Sequence, residues 1–190
     1  MRNMKATSAA LFLYLIYGAL FPETHVTAQH EANSAVAQKD TGKEASFIFS
    51  KIEPTLHRTS RVPARLPSFL PGVDREHPID AILISASSSG YEILLAMEPD
   101  CQGQNVCLYG SVFGSAAPIK LAGRSSGIPV KLRRGIQGRF IDAECHAYCN
   151  QSYVKWSEGG FYYAVGIKAE KKENMIRVAN SAIPPLHKPQ

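Results

Sequence analysis

Apolar and polar positions along the chain change their spacing several times, and each change marks an element. Tyr91, Ile93, Leu95 and Met97 alternate with Glu92, Leu94 and Ala96, the pattern of a strand with one face more buried than the other. Ile79 to Ser85 suits its partner strand, because the ASSSG between them (86–90) is a run of turn residues; together they predict a hairpin. Val106 to Phe113 gives another strand, and PVKLRRGIQGRFID (129–142) predicts two more, joined around Gly135 and Gly138. The clearest hairpin is SYVKWSEGGFYYAVGIK. Val154 and Trp156 lead into the turn at 157–160, and Phe161, Tyr163, Val165 and Ile167 share one face of the return strand. Only then does the period lengthen. Met175, Val178, Ala179 and Ala182, widened by Ile176 and Ile183, recur at the spacing of an amphipathic helix, which Pro184 and Pro185 stop. Many strands followed by one terminal helix predict an α+β fold, an antiparallel sheet with that helix packed on one face.

The N-terminal stretch has a different character. Arg2 and Lys5 supply positive charge, Ala6 to Phe21 is apolar apart from Thr7 and Ser8, and Val26-Thr27-Ala28 follows Pro22 with a site for a signal peptidase. This order predicts a secretory signal over residues 1–28. The apolar run ends short of the roughly 20 residues a spanning helix needs, so no transmembrane span is expected after cleavage. Residues 29–54 predict a disordered leader, since QHEANSAVAQKDTGKEAS has too few large apolar side chains to offset the entropy of ordering. The short FIFSKI patch that follows it either docks on the domain or stays loose. Pro63, Pro67 and Pro71 predict an extended segment with Val62, Leu66 and Phe69 turned inward. One globular domain over 55–183 and a tail over 184–190 complete the expected organisation.

Cleavage removes Arg2, Lys5 and Glu23 from 21 basic and 16 acidic side chains, leaving 19 and 15. That small excess does not imply nucleic acid, and export makes it a poor partner. An anionic envelope component or another exported protein fits better.

The segment ECHAYCNQSYVKW carries the sharpest chemical question. Cys145 and Cys149 flank His146 in a C-x-x-x-C spacing, whereas thiol oxidoreductases carry C-x-x-C at the start of a helix, where the dipole lowers a thiol pKa. Zinc tolerates such a spacing, but the other pair, Cys101 and Cys107, is C-x5-C, and exported thiols oxidise before they meet the metal. An even count of four in an exported chain reads as disulfides, and four cysteines permit three pairings. Local pairs 101–107 and 145–149 are favoured over the crossed ones, as staples that fix loops at one end of the sheet. Neither cofactor nor metal is expected.

Lys131, Arg133, Arg134 and Arg139 form a run without an acid until Asp142. Lys131 and Arg133 lie two apart on a strand and so project from one face, where Arg139 of the partner strand joins them. Such a face suits carboxylate, phosphate or sulfate groups. The plainer alternative, which is favoured, is a solvated surface that discourages edge pairing. Asp74, Glu76, His77 and Asp80 gather in a proline-flanked loop with nothing to orient the histidine, and the serines of SASSSG lack the G-x-S-x-G elbow of a nucleophile. Trp156 and Tyr162 offer rings for stacking on a sugar or peptide, although Trp156 occupies a hairpin core position.

Cys145, Cys149, Trp156, Gly160, Tyr163 and the terminal ANSAI (179–183), with PARLPS and PDCQGQNVCLYGS upstream, form a set that resembles a group of small exported proteins of cyanobacteria and related bacteria. The resemblance spans most of residues 62–183. It implies export and a single domain, and it carries no catalytic residue because the group has no assigned activity. The expectation is therefore an exported, non-catalytic domain that binds a ligand or partner in the periplasm or outside the cell. Its rival is a thiol–disulfide exchange enzyme using Cys145 and Cys149.

Overall fold

A computed structural model describes residues 45–121 and 127–185, and all of these fall in one compact unit. The expected signal segment, the leader up to residue 44 and the tail from residue 186 lie outside the described residues.

The sheet is built from β1 (Asp80–Ser87), β2 (Gly90–Ala96), β3 (Leu108–Ser115), β4 (Ile128–Lys131), β5 (Gln137–Ile141), β6 (Gln151–Glu158) and β7 (Phe161–Lys168). Its strand order is β1-β2-β3-β7-β6-β5-β4, with every neighbouring pair antiparallel. The predicted hairpins β1–β2 and β6–β7 supply local pairs, and β3 joins them by pairing with β2 on one side and β7 on the other. A helix α1 (Glu53–Thr59) precedes the sheet and α2 (Lys172–Ala182) follows it, packed against β5, β6 and β7.

Alternation along the strands decides which face is the core. Ile93, Val112, Val165, Val154 and Phe140 stand opposite one another in register across five strands, and all are buried. Each such side chain contributes about 1.5–3 kcal/mol when fully buried. Met175, Val178, Ala179 and Ala182 of α2 close this face on one side, as the helical stripe predicts. Phe49, Leu56, Val62, Leu70 and Val73 belong to the same cluster.

The leader ends sooner than expected. Ala45–Phe49 is a 3-10 turn with Ala45, Ile48 and Phe49 buried, and the Ala45 N–H donates to the Ser68 carbonyl at 2.7 Å. Of the two alternatives open to FIFSKI, docking on the domain is the one the structure shows, with Ile48 and Phe49 in the core. Two smaller differences concern register. β2 stops at Ala96, where its pairing with β3 shifts, so Met97 leaves the buried stripe and is 54% exposed. Gly138 lies inside β5 rather than in the joint, because Leu132 folds over it at the distance a Cβ would occupy.

Both cystines sit at the same end of the sheet. The connection from β2 to β3 carries Cys101–Cys107, and that from β5 to β6 carries Cys145–Cys149. Lys168 at the end of β7 lies between these loops, its Nζ donating to the Asn105 carbonyl at 2.6 Å while Ala169 N–H donates to the Asn150 carbonyl at 3.0 Å.

Candidate functional site

The face of the sheet turned away from α2 carries a cleft of about 510 Å³ over β5, β6 and β7. Its floor follows from the same alternation that builds the core. Phe140, Val154 and Trp156 point inward, so Arg139, Lys155 and Ser157 point outward, with Tyr162 beside them on β7. Pro118 and Ile119, on the connection that leads from β3 to β4 at the far edge, form a wall, and Pro129 of β4 completes it.

Arg139 and Lys155 are direct register partners. Like charges in that position weaken a sheet. The Arg139 guanidinium is held through Nη2, which donates to the Gly127 carbonyl at 2.7 Å. Lys155 is half-buried and has no acidic or hydrogen-bonding partner among the described residues. Lys131 stands on the same outer face, opposite Gln137. The cleft is thus cationic along one side and apolar along the other.

Four basic residues from the sequence do not form one patch. Lys131 and Arg139 share the outer face, but Arg133 and Arg134 leave it because the chain turns there. Residues Arg133–Gly135 form a 3-10 turn in which Arg134 has φ 62° and Gly135 φ 75°. Arg133 faces α2 instead: its backbone N–H donates to Asn180 Oδ1 at 2.6 Å and its Nη1 to the Ile183 carbonyl at 3.2 Å. Arg134 reaches Glu158 Oε1 at 2.6 Å. Lys155 takes the place expected for Arg133. Its outward position follows from the alternation with Val154 and Trp156, which face the core.

Glu158 is the hub of a second charged cluster, beside the core. Arg65 Nε meets its Oε2 at 2.9 Å, and the Arg65 guanidinium lies 5.7 Å from the centre of the Tyr163 ring. Tyr163 in turn stacks on Trp156 at 5.5 Å between centroids. Trp156 is 4% exposed, and its indole N–H has no hydrogen-bond partner among the described residues. Of the two rings offered for ligand stacking, Trp156 is therefore core and Tyr162 is at the cleft.

Other candidates resolve into turns and staples. Asp74 Oδ1 accepts the backbone N–H groups of Glu76 and His77, both at 2.8 Å, and His77 Nδ1 lies 3.3 Å away. Backbone donation, first from His77 and then from Glu76, holds the Asp74 carboxyl below its ordinary pKa, so this carboxylate serves the turn. The local disulfides Cys101–Cys107 and Cys145–Cys149 both form. They differ in setting: Cys101 and Cys107 are buried against Leu94 and Ala96, whereas Cys145 is exposed in a loop closed by Asn150 N–H donating to the Glu144 carbonyl at 3.0 Å. His146 is exposed in that loop. Among the described residues, no hydroxyl or thiol hydrogen-bonds to a histidine, and no helix is long and apolar enough to cross a membrane.

A smaller cavity of about 350 Å³ lies between α1, the proline segment and the end of α2. Its cations, Arg65 and Arg133, are already engaged by Glu158 and the Ile183 carbonyl. No family model, curated protein or solved structure matches this chain.

Proposed function

We propose that this chain is an exported, non-catalytic binding domain that presents its outer-face cleft to an anionic ligand. The carrying observation is the Arg139–Lys155 register pair: two like charges set opposite each other beside an apolar wall. Two cations beside an apolar wall suit an anionic ligand with an apolar body. Export is supported by the signal-like N-terminus, by two disulfides with no free cysteine among the described residues, and by the resemblance to small exported bacterial proteins.

Retention on envelope material from the host provides the test. Wild-type protein should be held at about 0.15 M salt and released as screening grows. Lys155→Gln should be retained several-fold less. Equal retention of wild type and variant would sink the cleft as the binding surface.

One observation favours a second reading, thiol–disulfide exchange by Cys145 and Cys149. That disulfide is exposed, and access is one requirement of exchange. Catalysed reduction of insulin by dithiothreitol, abolished by Cys145→Ser, would establish it; a rate no different from the uncatalysed one rejects it.

A further inference from the structure

We infer that the open edge of β1 pairs with β1 of a second copy of this chain, making one continuous sheet across a two-fold axis. This pairing is independent of the cleft, which lies toward the opposite edge of the sheet.

The two edges of the sheet are built differently. β4 is four residues long and carries Pro129, which has no N–H to offer, and Lys131, whose charge a partner strand would cover. Both features keep an edge unpaired. β1 is eight residues long, and after Asp80 it has no proline, glycine or charge, only AILISAS. Ile82, Leu83 and Ile84 occupy its middle, and Ile84 is 52% exposed. The bulge between Leu83 and Ser85 adds local twist, but neither a charge nor a lost N–H.

The backbone on the outer side of β1 has no ladder within the described chain. Alternate residues turn their N–H and C=O toward β2, and the others turn away. Among the described residues, no backbone hydrogen bond reaches residues 81–87 from a loop or helix. Helix α1 and the Ala45–Phe49 turn do touch β1, with Leu56 and Phe49 in the core cluster that Ala81 and Leu83 pack against. They cover the core face of the strand and form no ladder with its edge.

Symmetry and charge make the occupant a second copy. An antiparallel edge meets itself across a two-fold with donors opposite acceptors, so β1 needs no foreign sequence to complete it. The chain carries a net charge of +5, yet residues 81–91 are uncharged, so two copies approach along a stretch that adds no like-charge repulsion. A foreign strand is selected partly by charge, and AILISAS offers none. Side chains gain as well. Ile82 packs with Leu94, Ala96 and Leu108 in a second apolar cluster that ends at this edge, and the β1 of a mate continues it. Because β4 is blunted, association closes at two copies.

Sedimentation equilibrium of the native oxidised protein, from about 1 μM to about 500 μM, tests this. The weight-average mass should rise to twice that of the monomer and stop, with a Kd of about 10–100 μM, as a small interface gives. Ile84→Lys should weaken the dimer at least about tenfold while the far-UV spectrum stays unchanged. Hydrogen exchange on the unaltered chain needs no variant to fold: β1 amides should slow as concentration passes the Kd, while β4 amides stay constant. A monomer throughout the range overturns the inference. So does protection centred on β4 or the disulfide loops, a mass that climbs past two copies, or folded Ile84→Lys pairing as tightly as wild type.

Discussion

Arg65 Nε and Glu158 Oε2 meet at 2.9 Å across 93 residues of chain, with both side chains largely out of solvent. The contact pins the proline segment to the tip of the β6–β7 hairpin, and Arg134 brings the β4–β5 turn to the same carboxylate. One acid thus gathers three loops at the end of the sheet opposite the disulfides. Glu158→Gln keeps the shape and removes the charge both arginines face, so it should cost about 2 kcal/mol, read as a lower urea midpoint with unchanged slope. Arg134→Ala, at a third-exposed side chain, should cost less than about 1 kcal/mol.

The Tyr91 ring lies where a Cβ on Gly114 would stand, and its hydroxyl is fixed by accepting the Arg65 backbone N–H at 2.9 Å. A ring tied at its tip cannot swing aside cheaply. Gly114→Ala should therefore destabilise by about 1–3 kcal/mol, a thermal shift of several degrees. Adding Tyr91→Phe, which frees the tip, should recover part of it.

Much of this arrangement was legible in the sequence, and the illegible part has a physical pattern. The β6–β7 hairpin and α2 were readable because turn glycines and apolar period agree with the tertiary structure; Trp156 and Tyr163 pair as alternation requires. The first seven-residue helix, α1, was not, since Leu56 is its only buried residue and one position makes no period. The bulge between Leu83 and Ser85 leaves no compositional trace either. Arg139 stands on the outer face that the strand pattern predicts, whereas Arg133 and Arg134 leave it, because a left-handed residue at Arg134 reverses the chain where the pattern predicts a continuing strand. A single lysine in a hairpin, such as Lys155, reads as solubilising until its register partner is known.

Burial, the largest cause in each case, raises the phenol pKa of Tyr91, Tyr109, Tyr153 and Tyr163 above the ordinary value of about 10. The folded state holds these protons more tightly than the unfolded chain does. Their stability contribution is therefore complete below about pH 10 and lost as pH rises from there through the folded-state values. Urea midpoints should fall between about pH 9 and pH 11, and ionisation of these four phenols, read residue by residue, should appear together with unfolding. Any of the four ionising at about pH 10 in the intact fold would contradict this burial.

Cys101 and Cys107 are 6% and 5% exposed, whereas Cys145 is open to solvent. Limiting dithiol should reduce Cys145–Cys149 first, and alkylation mapping should find label there while Cys101 and Cys107 stay protected. Closing either short loop is worth about 2 kcal/mol, so Cys145→Ser/Cys149→Ser should fold with a lower melting temperature.

The proposed oxidative maturation after export underlies the choice of partners and accounts for the two disulfides. A non-reducing peptide map of the native protein, from the envelope or medium of its host, tests it in one measurement. The expected map begins at Gln29 and contains the linked pairs Cys101–Cys107 and Cys145–Cys149. A cytosolic protein that keeps Met1 and carries four free thiols would contradict it.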